Sequence, residues 1–483
     1  MTDTVREYRR NVSAQALGRV LYVLGGALTF IGATHAMTVD ALADYALALT
    51  LLTIVWALAD LGTTATLGVH VAAAAEQDRG TIIGAFLVMR IGLAALAGAV
   101  GALAAPFILG PSMLPMVWVA CALTPLLAAR FYEPVFQVAD RPHLSGVLGI
   151  LYFGVLVPLA AVALILLPER PDLLLGAHLL AGIAYTTVGL WLMHRLVPLG
   201  WPRSLGPGRL MLQRSALIGC SSLLSVLNLR SGTLVLKFLA GPEAVALFVA
   251  AQRFLELGAA VAVTVSTPLF SIFGRLAKAG RSGATAVQVL TLTLALAVPV
   301  PVLALVWSEP VVRLLYGADL HAAAALVPFM AAQFLLFTVG VALGPAILAT
   351  FSIKRLSLTL VGPALALVVN LGLCLILVPL HGSMGAAFAA VAGEAMVATV
   401  VVTLFFVATR QRIRLRALLG IAAGAAMLAL VLLGLPDVPV LLRTLLGLVL
   451  YAGGAWVSLR FIKSSAEQCQ GERVVGQQTM AER

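Results

Sequence analysis

The stretch LNLRSGTLVLKFLAGPEAVALFVAAQRFLE, Leu227 to Glu256, decides how this chain is read. Two apolar runs flank a Gly-Pro-Glu turn, yet they carry Arg230, Lys237, Arg253 and Glu256. An arginine at the centre of a membrane helix costs about 3 kcal/mol on insertion scales, so such charges are either paired or functional. The solvent has to be settled first. Of 483 residues, 61% are hydrophobic and 11% charged, and the mean hydropathy is +1.05. A soluble chain of this length has no core large enough to hide that much apolar surface, so the solvent is lipid.

Apolar stretches of the length of one membrane crossing recur along the whole sequence. They predict an all-α integral membrane protein of about 14 transmembrane helices. The spans fall near 13–36, 42–69, 81–108, 113–138, 143–167, 172–195, 210–239, 243–271, 285–309, 321–351, 355–380, 383–408, 416–435 and 438–462. The first follows Arg6, Arg9 and Arg10 and is long enough to cross, so it reads as a transmembrane helix and not as a cleaved signal. With the N-terminus inside, 22 of the 31 Lys and Arg fall in inner segments, and only Arg170 and Arg313 in outer loops. That asymmetry predicts cytoplasmic termini, and it accounts for the net charge of +11 without a nucleic-acid partner.

The loops are short and no soluble domain is inserted. The expected organisation is an N-terminal tail (1–12), a six-helix lobe (13–200), a second lobe (201–409), two extra helices (410–463) and a disordered cytoplasmic tail (464–483). Ala43–Ala48 and Ala246–Ala251 form a weak internal echo, each opening a span after a short outer turn and an acidic residue. An offset of six helices predicts two bundles related by a pseudo-twofold axis along the membrane normal.

Four stretches then carry a family resemblance. Lys237–Glu256 (KFLAGPEAVALFVAAQRFLE), Val311–Leu320 (VVRLLYGADL), Pro379–Ala392 (PLHGSMGAAFAAVA) and Ala57–Gly62 (ALADLG) stand in matching order and spacing. Together they resemble the polysaccharide flippase branch of the multidrug/oligosaccharidyl-lipid/polysaccharide exporter superfamily. The resemblance implies two six-helix lobes around a central cavity and alternating access. It implies movement of an undecaprenyl-pyrophosphate-linked oligosaccharide from the cytoplasmic to the periplasmic leaflet of the inner membrane. Expected partners are that glycolipid, membrane lipids, and the polysaccharide polymerase and glycosyltransferases.

Seven charges are candidate site residues: Arg230, Arg253, Arg90 and Arg19 for substrate binding, and Asp60, Glu256 and Glu394 for gating or coupling. Arg230 and Arg253 lie at similar depth on consecutive spans, and guanidinium groups match pyrophosphate oxygens. Glu256, three residues after Arg253, is placed to pair with it on one helix face. Either it neutralises Arg253 and leaves Arg230 free, or both arginines face the cavity. Asp60 and Arg90 share a depth on antiparallel neighbours, which suggests a buried salt bridge or an inner gate. Arg19 is placed to join them or to reach the headgroups. Glu394 falls near mid-span, as a relay for a proton or ion or as a hydrogen-bonded neutral acid. Asn228, Gln252, Gln333 and Asn370 either bind sugar hydroxyls or join helices. Arg130 and Glu133 are expected at the membrane interface.

No GxxxxGK[ST] pattern is present, and Cys121, Cys220, Cys374 and Cys469 form no CxxC pair, so neither cofactor nor metal is expected. A membrane polymerase or ligase needs a larger outer loop or domain, so the chain is expected not to be an enzyme. The rival readings are a cation-coupled multidrug exporter, which wants converging acids, and a lipid II flippase.

Overall fold

The computed structural model describes residues 2–202, 206–278, 282–350, 353–409, 415–458 and 460. Among them every regular element is helical. The helices before residue 200 are α1 (Thr2–Ala36), α2 (Val39–Asp60), α3 (Thr63–Ala73), α4 (Glu76–Ile108), α5 (Leu114–Ala122), α6 (Thr124–Leu127), α7 (Tyr132–Val138), α8 (His143–Leu166) and α9 (Pro171–Leu196). After it come α10 (Gly206–Leu239), α11 (Pro242–Lys278), α12 (Ser282–Ala297), α13 (Pro299–Tyr316), α14 (Val327–Thr350), α15 (Val361–Thr409) and α16 (Leu415–Gly434). A last span covers Val440–Ser458. The expected tail at 464–483, with Cys469, lies outside the described residues.

Eleven described helices are long and apolar enough to cross a membrane, and the bent pair Leu114–Ala122 with Thr124–Val138 makes a twelfth. α15 has two arms that turn at Gly382. Counting both arms, and the shorter apolar Leu418–Gly434, recovers the fourteen expected crossings. The chain is thus built as a multi-pass membrane protein of two helix bundles with two added helices.

Several predicted spans are interrupted, each for a local reason. The span 42–69 breaks at Leu61 and Gly62, which take φ of 38° and 72°. The span 113–138 bends by 52°, with Pro125 opening α6 and a non-helical Arg130–Phe131 before α7. The span 285–309 runs on to Tyr316, its hydrogen-bond ladder interrupted where Pro299, which lacks a backbone N–H, starts α13. α1 begins at Thr2, so the expected N-terminal tail continues the first helix.

The most extensive packing stays within each half: α1 with α8, α8 with α9 and α2 with α4, then α10 with α15, α14 with α15 and α11 with α14. Both members of the sequence echo are core, with Tyr45 and Phe248 essentially unexposed. The halves meet where α2 and α3 cross α10, and where α1 and α2 cross α11. At the end of the bundle near Asp60, the left-handed Leu61–Gly62 turn lies directly on Gly219 of α10. A Cβ on Gly219 would run into the Leu61 carbonyl, and one on Gly62 would stand 2.5 Å from the Gly219 nitrogen. At the opposite end His35 Nε2 lies 3.0 Å from the Leu315 carbonyl oxygen, and Phe30 meets Tyr316 edge-on. The halves therefore touch at both ends.

The bare backbone at Gly219 gives a first prediction. Gly219→Leu should hold the halves apart at the Asp60 end. In a cysteine-free background, maleimide labelling of Leu61→Cys should be slow beside Gly219 and markedly faster beside leucine. Equal labelling rates would mean that the contact does not close that end.

The two added helices brace the second half. Tyr451 Oη donates to the Ala295 carbonyl at 2.7 Å, and Trp307 Nε1 donates to Thr444 Oγ1 at 3.0 Å.

Candidate functional site

α10 and α11 are joined by a tight turn in which Gly241 takes φ 88°. Gln252 of α11 fixes their register by donating Nε2 to the Leu229 carbonyl at 2.8 Å. This register brings Arg230 and Arg253 to one carboxylate. Arg253 Nη1 bonds Glu256 Oε2 at 2.6 Å, and Arg230 Nη1 stands 2.8 Å from Oε1 of the same group. The alternative that leaves Arg230 free does not hold, because Glu256 is shared between the two arginines. The side chains keep 12%, 16% and 21% of their surface for Arg230, Arg253 and Glu256, so the cluster is deep but not sealed. Two guanidinium groups against one carboxylate leave one net positive charge. Nε of each arginine is buried with no hydrogen-bond partner. The Arg253 guanidinium also sits 4.6 Å over the Phe30 ring of α1, so the cluster touches both halves.

The Asp60–Arg90 bridge is present at 2.6 Å. Its surroundings show what it does. Arg90 Nε donates to the Ala128 carbonyl at 2.5 Å, and Nη1 also reaches Thr63 Oγ1 at 2.9 Å and Thr64 Oγ1 at 2.6 Å. Asp60 accepts from the backbone N–H of Gly62 and Thr64 at 3.2 and 3.3 Å. The hydroxyls of Thr63 and Thr64 donate to the Asp60 carbonyl and carboxylate. Asp60 thus caps the start of α3 while Arg90 pins that turn to the α6–α7 region. Arg90 is 7% exposed and engaged by protein acceptors, as the buried salt-bridge reading of the pair expects. Arg19 is exposed on α1 and does not join the pair.

Glu394 is buried on the second arm of α15 and lies in no ion pair among the described residues. Its neighbour is Gln333 of α14, whose Oε1 is itself buried without a partner. Close by, Asn370 Nδ2 donates to the Asn228 carbonyl at 2.8 Å and to its side-chain oxygen at 3.0 Å, tying α15 to α10. All four amides considered join helices: Asn228 with Asn370, Gln252 with Leu229, and Gln333 with Glu394.

Arg130 is the residue that sequence reasoning misplaced. It sits in the non-helical break before α7, among the helices of the first half. Its Nη1 donates to Tyr22 Oη at 3.2 Å. The guanidinium lies 5.0 Å from the Trp56 ring centroid and 5.8 Å from that of Tyr185. Beyond Tyr22, Tyr152 stacks at 4.2 Å and donates or accepts at His178 Nδ1 at 2.9 Å, while Tyr45 Oη meets His178 Nε2 at 2.7 Å. The one available signal was Thr124-Pro125 within an apolar run, a place where a helix stops and an interior backbone turn begins.

Beside the arginine pair opens an apolar cavity of about 630 Å³ between α11, α12, α13 and α14. Phe254, Val261, Leu296, Trp307 and Phe334 are among its walls. Phe254 and Gly258 line it, so the cavity opens on the same stretch of α11 that carries Arg253 and Glu256.

No family profile matches the chain, and no curated protein does. Solved structures do match in fold. The chain aligns with a lipid II flippase, MurJ, in an inward closed conformation, at a TM-score of 0.74 and 13% identity, over 94% of this chain and 99% of that one. It aligns with a multidrug resistance MATE family transporter of the MOP superfamily in an outward-facing conformation at 0.63 and 15%, over 84% and 96%. The MATE transporter VcmN of Vibrio cholerae aligns at 0.60 and 15%, over 85% and 98%. At these identities the likeness is one of architecture: this chain has the fold seen in MurJ and in MATE transporters.

Proposed function

We propose that the chain is a flippase that carries a prenyl-pyrophosphate-linked oligosaccharide from the cytoplasmic to the periplasmic leaflet by alternating access. The supporting observation is the shared carboxylate. Arg230 and Arg253 leave net positive charge and two unpartnered Nε donors deep in the bundle. A buried cationic site with spare N–H groups fits a phosphate-type anion. A cationic drug would meet like charge there and at Arg130.

In this reading the pyrophosphate lies against the arginine pair and the first prenyl units enter the adjoining apolar cavity. Contact at the Asp60 end and contact at the His35 end open in turn. With the cytoplasm negative, each anionic charge carried outward gains about 2.3 kcal/mol per 100 mV. Glu394, buried beside the Gln333 amide and in no ion pair among the described residues, is the candidate group for coupling to a proton. A lipid II flippase is the second reading, favoured by the extent of the alignment with MurJ.

The test is flipping of a fluorescent prenyl-pyrophosphate oligosaccharide in proteoliposomes. Arg230→Gln/Arg253→Gln should slow it by at least about tenfold, the loss of a charge-assisted hydrogen bond or more. Adding Glu256→Gln to the pair keeps the cluster neutral and controls for an orphaned carboxylate. Unchanged flipping by either variant overturns the site. Competition between lipid II and an oligosaccharide precursor decides between the two readings.

A further inference from the structure

The cluster around Arg130 is not used by the pyrophosphate site, and its composition is unusual for a purely structural cation. Arg130 forms no ion pair among the described residues. Glu133 acts on the neighbouring Tyr132 and Tyr185 but is not within ion-pair distance of Arg130. The nearest polar groups are phenols: Tyr22, which accepts its one hydrogen bond, and Tyr152 behind it. A second donor is unsatisfied here, since the Trp56 indole Nε1 is buried with no hydrogen-bond partner. Arg130, Trp56 and Tyr22 each retain some accessible surface, so the cluster borders a space. The inventory is one positive charge, one orphaned N–H, hydroxyls, and the flat faces of Trp56, Tyr22 and Tyr185.

Aromatic faces gathered round a point normally attract a cation from outside. Here the chain's own guanidinium already takes the Trp56 and Tyr185 faces, so the site is complementary to an anion. One cation and one indole donor match a singly charged acceptor with two oxygens. A phosphate dianion in the same place would leave excess charge in low dielectric. The Tyr22 hydroxyl beside that cation and the ring edges around it fit the hydroxyls and C–H groups of a sugar ring that carries the carboxylate. We infer that Arg130, with Trp56, Tyr22 and Tyr185, forms a second substrate subsite that takes a carboxylate-bearing sugar ring, such as a hexuronate, of the glycan headgroup. This rests on the flippase reading for its role in transport, though the binding itself does not. It makes the preferred cargo an acidic glycan, held at two separate points by a pyrophosphate site in one half and a uronate site in the other.

The test uses the full-length protein in nanodiscs, titrated with sodium glucuronate, glucose and inorganic phosphate. Glucuronate should change tryptophan emission saturably and raise the unfolding temperature, while glucose and phosphate should not. Arg130→Gln should weaken glucuronate binding by at least about tenfold, and Arg130→Lys by less. Trp56→Phe should abolish the emission change, which keeps the proposal testable if Arg130→Gln fails to fold. No saturable response to glucuronate, an equal response to glucose, or an emission change that survives Trp56→Phe overturns it. Flipping of a glycolipid with only neutral sugars separates the two readings. If that succeeds while glucuronate does not bind, the subsite alone falls. If glucuronate binds while no glycolipid is flipped, the flippase reading alone falls.

Discussion

Replacing Asp60 with asparagine should destabilise the protein by about 3–5 kcal/mol, the usual cost of stripping one partner from a buried ion pair. The partners are unequal. Arg90 is 7% exposed and Asp60 32%, so the orphan left by Asp60→Asn is the deeper one. Arg90→Met leaves an Asp60 that still accepts from Gly62, Thr64 and the Thr64 hydroxyl, and should cost less, about 1–3 kcal/mol. The double variant should recover part of the Asp60→Asn loss, because no buried charge remains unpaired. Unfolding midpoints of the four proteins in one detergent give the cycle. If Asp60→Asn is as stable as wild type and only the rate of transport changes, the pair is a gate and not a structural pin.

Glu256→Gln should have the second large effect, with a signature of its own. It leaves two guanidinium groups facing one another with no carboxylate between them. The unfolding temperature should fall, and added inorganic pyrophosphate should restore it. A ligand present at 100 times its dissociation constant stabilises by about 2.7 kcal/mol. The rise should be larger in Glu256→Gln than in wild type, where the anion must compete with Glu256 for the same Nη1 groups. A pyrophosphate response that is absent in the variant, or equal in both proteins, removes the arginine pair as an anion site.

Much of the fold was legible because lipid imposes a simple code. Every crossing needs a long apolar run, and all fourteen runs have helical counterparts. What the code hides are interruptions inside a run. Hydropathy does not change at Leu61–Gly62, where the backbone turns, and the dip at Arg130 does not by itself show the bend there. Of the site, the level of Arg230 and Arg253 and the pairing of Asp60 with Arg90 followed from counting residues along antiparallel helices. Counting cannot rotate a side chain about its helix axis, so the sharing of Glu256 was beyond it. Arg90 looked like a candidate ligand because a sequence does not show Ala128 or the two threonines that already engage it. Arg130 was placed at the interface because a straight helix was assumed across a bent one.

The bracing of the second half by its last helices has a consequence for synthesis. Trp307 lines the apolar cavity, and its indole partner Thr444 lies 137 residues later in the chain. Ala295 waits 156 residues for Tyr451. At roughly 5–20 residues per second, the α12–α13 wall leaves the ribosome on the order of ten seconds before its brace exists. During that interval its outer face has only bilayer to pack against. Chains truncated after Thr409 should remain in that half-built condition, with the cavity wall facing acyl tails where α16 and the last span belong.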